Sequence, residues 1–140
     1  EDKTLKLKRN GIIETQNGQH ITTHYCSEIN KIEMSSASVI TSENEQINSR
    51  NLEIEAESAA VLNLGVNCET LDVDAESAAV INIWGETNYL KADLASAAVV
   101  NFKDLATDSA YIEAATAAVI DVPKTEKLNI KKQNTTVITQ

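Results

Sequence analysis

The chain has 140 residues, 42% of them hydrophobic, 24% charged and 4% aromatic, and its formal net charge is −9. This length suits one domain, and the acidic excess repels phosphate backbones and anionic membrane surfaces, which disfavours nucleic acid as a partner. No apolar run approaches the ~20 residues of a membrane span, and the charged start Glu1-Asp2-Lys3 is not a signal peptide. We therefore expect a soluble mature chain without membrane insertion.

The N-terminal part of the chain does not follow the sequence repeat that covers the rest of the chain. Two short segments, Leu5-Lys6-Leu7 and Ile21-Thr22-Thr23, have the composition of strands. We predict an irregular N-terminal coil or cap over residues 1–28 and repeats over residues 29–140, all within one domain.

Residues 29–140 are built on a recurring tetrapeptide, Ser-Ala-Ala-Val. Successive copies are 22, 19, 19, 20 and 18 residues apart, and they begin at Ser36, Ser58, Ser77, Ser96, Thr116 and, more loosely, Asn134. Before each copy apolar residues alternate with polar ones, as in Leu52-x-Ile54-x-Ala56, and this period of two predicts strand. A coil of short strands with this length indicates an all-β fold, a single-stranded right-handed parallel β-helix (β-solenoid) of about six coils of 18–22 residues, stacked ~4.8 Å apart.

Strict alternation through the corner would point Ser58 inward and Ala59 and Val61 outward. Across the copies this exposes a flat apolar strip, which is our candidate interface: Ala59, Val61, Ala78, Val80, Ala97, Val99, Ala117 and Val119, with Ala37 and Val39 before them. The alternative is that the chain bends at Ser58, changes parity and buries these residues. The sequence leaves both readings open.

A second column is acidic and lies three residues before each tetrapeptide: Glu33, Glu55, Asp74, Asp93 and Glu113, closing with Lys131. Stacked like charges destabilise a sheet, and either calcium or water and salt could relieve them. Glu55, Asp74 and Asp93 are weak calcium candidates, but no Asp-x-Asp-x-Gly loop is present, so we favour a solvated face and predict no metal and no cofactor. A further column, Asn63, Asn82 and Asn101, suggests stacked amides at a corner.

Cys26 and Cys68 lack the spacing of a zinc or redox motif and are expected to be small buried residues, with a disulfide between them left open. Trp84 is expected in a turn with Gly85, covering a corner. The even repeat spacing leaves no room for the long loops of a catalytic cleft, and no nucleophile, acid–base or phosphate-binding motif occurs. We therefore predict no catalytic residues, and a carbohydrate-active β-helix enzyme is disfavoured.

The pattern Leu52-x-Ile54-x-Ala56-x-Ser58-Ala59-Ala60-Val61, repeated from Leu71 and Leu90, resembles the head GIN domain family of putative auto-transporter adhesins. The resemblance implies a bacterial cell-surface or periplasmic β-helix without catalytic residues. This chain has alanine at Ala59, Ala78 and Ala97, where the family generally has glycine, and alanine disfavours a positive φ. A second resemblance is to bactofilin-like polymer-forming β-helices.

These observations leave two classes of function. The preferred one is a non-catalytic, secreted, cell-surface or periplasmic binding module with a protein or glycan partner. The other is a self-associating scaffold, since open solenoid ends can template homo-oligomers. The last copy is expected to be partly capped, because Lys132 and Gln140 replace apolar residues there.

Overall fold

The computed structural model of this chain describes residues 6–8, 12–15, 20–21, 29–133 and 137–139. The described residues form strands, turns and bends and no helix. The strands, in chain order, are β1 (Lys6–Lys8), β2 (Ile12–Thr15), β3 (His20–Ile21), β4 (Lys31–Met34), β5 (Val39–Ala56), β6 (Val61–Ala75), β7 (Val80–Leu94), β8 (Val99–Asn101), β9 (Leu105–Ala115), β10 (Val119–Asp121), β11 (Lys124–Gln133) and β12 (Val137–Thr139).

The strands stack in parallel, coil upon coil, into a β-solenoid of about five turns. β6 pairs with β7 in the register that the repeat predicts, with Leu71 opposite Leu90 and Asp74 opposite Asp93. Each coil thus supplies one strand to each ladder, and the predicted all-β parallel solenoid is confirmed. Its handedness stays a prediction.

The stacking extends into the N-terminal segment. β2 pairs in parallel with β4, which places Ile13 opposite Ile32, and β3 pairs in parallel with β5. β1 differs because it runs antiparallel to β2. The division into cap and repeats at residue 28 stays a prediction.

The core is a stack of the inward columns. Leu52, Ile54 and Ala56 are at most 1% exposed, and the equivalent residues of the next coils are equally closed to solvent. The alternation of apolar and polar residues that predicted strands is therefore the alternation of buried and exposed side chains in the structure. Because each layer is aliphatic and small, one coil can lie directly on the next, and among the described residues Phe102 is the one bulky ring of the buried core.

Each corner between the two main strand directions is made by two consecutive residues in the left-handed region. Within the described residues, five such corners occur: Ser36-Ala37, Ser58-Ala59, Ser77-Ala78, Ser96-Ala97 and Thr116-Ala117, with φ between 53° and 66°. The amide of Ala59 donates to the carbonyl oxygen of Ser77 at 3.1 Å, and the same bond recurs from corner to corner. Alanine thus occupies the second position of each of these corners, in a conformation that favours glycine.

Strict alternation does not continue through the corner, because it would point Ser58 inward and Ser58 is exposed. Strict alternation assumes an extended backbone, whereas two left-handed residues here turn the chain outside the core. Extended backbone resumes after them, so Ala60 is buried and Val61 is exposed, as alternation predicts.

The turn expected at Trp84 with Gly85 lies instead within the continuous strand β7, where Trp84 is half-buried. Its ring lies against the preceding coil, where a Cβ added to Gly65 would stand 2.5 Å from Trp84 Cζ2. The next residue, Gly85, has a φ of +116°, and a Cβ added to it would lie 2.1 Å from the carbonyl oxygen of Val66. Both positions therefore require glycine.

Candidate functional site: an uncharged face and its charged neighbours

The candidate apolar strip lies on the surface of the solenoid. Its valines are register partners, with Val61 opposite Val80, Val80 opposite Val99 and Val99 opposite Val119. Val80 is half-buried and the other seven candidate residues are exposed, namely Ala59, Val61, Ala78, Ala97, Val99, Ala117 and Val119. Of the two readings that the sequence left open, the structure has the exposed one. The role of the strip as an interface stays a prediction.

The asparagine column runs beside the valine column. Asn63, Asn82 and Asn101 lie two residues after the valines on the same outward face. Asn63 and Asn82 lie within strands and not at the predicted corner, whereas Asn101 ends β8 just before a turn. Asn101 Oδ1 accepts a hydrogen bond from the amide of Lys103 at 3.1 Å. Thr41 begins this column, and Asp121 and Thr139 close it. Over the described strands from Val39 to Thr139, the outward valine and asparagine columns contain one charge, Asp121.

The acidic column lies on a different face and is compensated by lysine. The register confirms the column and adds Glu14 opposite Glu33 at its start. Lys31 Nζ lies 2.9 Å from Glu33 Oε1, 2.9 Å from Glu55 Oε1 and 3.3 Å from Glu53 Oε1. These contacts raise the pKa of Lys31 well above its ordinary value.

Two more lysines stand along the same face. Lys91 Nζ lies 2.9 Å from Asp93 and 3.6 Å from Asp72, and its pKa is raised mainly by its hydrogen bond to Asp93. Lys131 Nζ lies 2.9 Å from Glu113, which raises its pKa in the same way. The charge repulsion is therefore relieved largely within the chain, by lysines that bridge neighbouring strands.

Asp74 is the exception in this column. No lysine of the described residues forms an ion pair with it. Its pKa is raised by burial first, and then by the charges of Glu76, Asp93 and Glu55. Among the calcium candidates, Glu55 and Asp93 are bound to lysine, and the described part of the chain contains no group of three His, Cys, Asp or Glu residues suited to a metal ion.

A polar groove follows a third edge of the solenoid. Its volume is about 1360 Å³, and amide, hydroxyl and charged side chains line it, including Asn48, Arg50, Asn67, Glu69 and Asn88. A second depression of about 420 Å³ shares Asn67 and Asn88 with it and continues along the same edge. This groove differs from the valine and asparagine face because charges of both signs line it.

Behind the groove runs a column that the sequence interpretation missed: Ser49, Cys68, Thr87, Thr107 and Thr125. Thr87 Oγ1 lies 3.2 Å from the carbonyl oxygen of Tyr89, and Thr107 Oγ1 lies 2.9 Å from that of Ser109. Each hydroxyl thus donates to the backbone carbonyl two residues later. Threonine recurs at the repeat spacing at Thr87, Thr107 and Thr125, and this recurrence could have predicted the column from the sequence.

Cys68 occupies the hydroxyl position in its coil. It is a free, buried cysteine, its Sγ lies 3.5 Å from Thr87 Oγ1, and burial raises the pKa of its thiol. The expectation of a small buried residue is confirmed for Cys68, whereas Cys26 lies outside the described residues. A thiol with a raised pKa is less reactive than an ordinary one.

Comparison with known proteins gives one match. The family model described as putative auto-transporter adhesin, head GIN domain, matches residues 1–139. No curated protein and no solved structure matches the chain. None of the described residues forms a helix with the length and apolarity that a membrane crossing requires.

Proposed function

The chain belongs to the head GIN domain family of putative auto-transporter adhesins, and from this premise we propose that it is a non-catalytic binding domain at the cell surface. Its ligand is a linear, uncharged glycan that lies along the valine and asparagine columns. The observation that carries this proposal is that this face holds a single charge, Asp121, over the described strands of a protein with a net charge of −9.

The distribution of charged side chains over the surface indicates both which face binds the ligand and that the ligand is neutral. The acidic column and the polar groove both present carboxylates, whereas the outward positions of Val61–Asn63, Val80–Asn82 and Val99–Asn101 present none. An anionic ligand would be repelled by the protein as a whole. A neutral ligand is favoured on the face where no charged group has to lose water.

The dimensions favour a narrow ligand. Six stacked valine positions, from Val39 to Val137, extend about 24 Å at ~4.8 Å per coil, and three residues of strand give a width of about 10 Å. The face therefore offers on the order of 240 Å². A stable protein–protein interface needs about 800 Å² from each partner, so this face alone is too small for a globular protein or a second copy.

The chemistry of the two columns matches a sugar chain. A glycan has apolar C–H faces and hydroxyl edges, and here an apolar row lies beside a row of amides that both donate and accept hydrogen bonds. The row spacing is fixed by the backbone register, so successive units of a regular chain meet the same pair of side chains, such as Val80 with Asn82 and Val99 with Asn101.

The lysines of β1 and β11 disfavour a self-associating scaffold. β1 carries Lys6 and Lys8, and β11 carries lysine at four of its ten positions. Head-to-tail stacking would bring these two basic ends together, which is unfavourable.

The test is binding of the labelled protein to an array of neutral and charged glycans. The strip variant combines Val80→Lys with Val99→Lys, and a matched variant adds the same charge in the groove by Asn67→Lys with Asn88→Lys. We expect the wild type to bind neutral linear glycans, the strip variant to lose at least about tenfold in affinity, and the groove variant to stay within about twofold. Urea unfolding checks that both variants fold.

Two results would contradict the proposal. If only the groove variant lost binding, the ligand would occupy the polar groove. If the array showed no neutral ligand and light scattering showed a dimer that the strip variant dissociates, the partner of the face would be a second copy.

A further inference from the structure

Trp84 lies at the end of the row that Val80 and Asn82 begin. Within β7 these three residues are partly exposed, whereas Ile81 and Ile83 between them are buried, so all three point to the outer side of the strand. Successive outward residues of a strand are about 7 Å apart. The indole therefore stands next to the asparagine column, on the side away from the valines.

The indole lies across the preceding coil. Gly65 is the register partner of Trp84, and a Cβ added to it would stand 2.5 Å from Trp84 Cζ2 and 2.6 Å from Cη2. Gly65 is buried although it has no side chain, because the six-membered ring of the indole covers it. The part of the ring that meets solvent is therefore the part turned away from the solenoid.

Two glycines hold the ring in this position. Gly65 leaves the space that the ring occupies, and Gly85 lets the strand that carries Trp84 approach the carbonyl oxygen of Val66. The ring is thus placed by close contacts between coils before any ligand arrives. A ring that is already in position loses little conformational entropy on binding, which favours affinity.

An aromatic ring at this place discriminates between sugar shapes. The face of an aromatic ring carries partial negative charge and attracts the weakly positive C–H groups of a sugar. A pyranose with only equatorial hydroxyl groups presents C–H bonds on both faces, whereas an axial hydroxyl would be pressed against the ring without a hydrogen-bond partner. Equatorial linkages also keep a glycan extended as a flat ribbon, and axial linkages wind it into a helix. A straight row of side chains can follow only the ribbon.

We propose that Trp84 selects the glycan, by stacking on one unit of a β-linked ribbon of pyranoses whose hydroxyl groups are equatorial. Asn63 and Asn82, which precede Gly65 and Trp84 by two residues, bind the hydroxyl edge of the same unit, and further units follow the columns. This inference rests on the proposed function, which it narrows from neutral linear glycans to β-linked ribbons.

The probes are two hexamers of glucose, the β-linked cellohexaose and the α-linked maltohexaose. Both are neutral and have the same composition, so they differ in shape alone. Trp84 is the single tryptophan of the chain, and its fluorescence therefore reports on this position. We expect cellohexaose to shift the emission to shorter wavelength in a saturable manner, because the sugar removes water from the ring. Maltohexaose should bind at least about tenfold more weakly.

Variants separate the ring from the rest of the face. Trp84→Leu keeps an apolar side chain beside Gly65 and should lose about tenfold in affinity for cellohexaose by calorimetry, whereas Trp84→Phe keeps a ring and should lose less. The control is Tyr89→Ala, which removes a ring that is 40% exposed near the polar groove. This control should stay within about twofold of the wild type.

The outcomes distinguish this inference from the proposed function. Equal binding of the two hexamers, or binding of other neutral glycans without cellohexaose, would overturn the role of Trp84 and leave the proposed function standing. A folded Trp84→Leu variant with wild-type affinity would do the same. If no neutral glycan bound at all, both would fail. The comparison of the two hexamers on the wild type decides the matter even if Trp84→Leu does not fold.

Discussion

Replacing corner alanines by glycine should stabilise this protein. Ala78 and Ala97 have a φ of 66°, and a left-handed backbone costs an alanine about 1–2 kcal/mol. Glycine removes this cost but gives the unfolded chain more freedom, which takes back about 0.4–1 kcal/mol per site. Both methyl groups are exposed, so little burial is lost. We expect a net gain of about 0.5–1 kcal/mol for each substitution.

Urea unfolding followed by far-ultraviolet circular dichroism measures this gain. The double variant Ala78→Gly with Ala97→Gly should be about 1–2 kcal/mol more stable than the wild type, because the two corners are in separate coils. The control is Ala106→Gly, an exposed alanine in β9 with ordinary φ, which should lose about 0.5–1 kcal/mol. If the corner variants lost as much as the control, the left-handed strain would be absent and the reasoning refuted.

Three further predictions concern the polar columns. Asp74→Asn should raise the free energy of unfolding by a few tenths to about 1 kcal/mol at neutral pH and low salt. Because folding raises the pKa of Asp74, this gain should vanish as the pH falls through that pKa. A gain that does not depend on pH would contradict this cause. Lys31→Met should lower the free energy of unfolding by at most about 1 kcal/mol. Because folding raises the pKa of Lys31, the difference in stability between wild type and variant is complete below the ordinary lysine pKa of 10.5. Thermal melts should show that this difference declines at higher pH. Thr87→Val should lose about 1–3 kcal/mol because the buried hydroxyl that donates to the Tyr89 carbonyl is removed. Thr125→Val removes the same kind of bond at an exposed position and should lose less, and equal losses would argue against that cause.

The sequence predicts the strand columns because a period of two along each coil and a period near 19 between coils are both visible in it. Leu71 and Leu90 align by either criterion, and the structure pairs them. The acidic column could be predicted from the sequence for the same reason. Its lysine compensation could also have been predicted, since Lys31 and Lys91 each stand two residues before a member of the column.

Two features depend on backbone conformation that alternation does not encode. Strict parity would place Ser58 inward because it treats every residue as extended, whereas the corner uses two left-handed residues outside the core. A turn was expected at Trp84 and Gly85, whereas both lie within β7, and the requirement for glycine at Gly65 and Gly85 comes from close contacts between coils. The exposure of the strip could not be settled for the same reason, since it depends on what the corner does to parity.

The coil-on-coil register is the central claim, and a disulfide tests it most directly. Val80 and Val99 are register partners on the outward face, and neighbouring strands lie within the Cα distance that a disulfide spans. In a background with Cys26→Ser and Cys68→Ser, the pair Val80→Cys with Val99→Cys should form an intramolecular disulfide under mild oxidation without loss of sheet signal. The pair Val80→Cys with Val100→Cys, in which the second position faces the core, should not. Failure of the first pair to cross-link, or equal cross-linking of the second, would contradict the register.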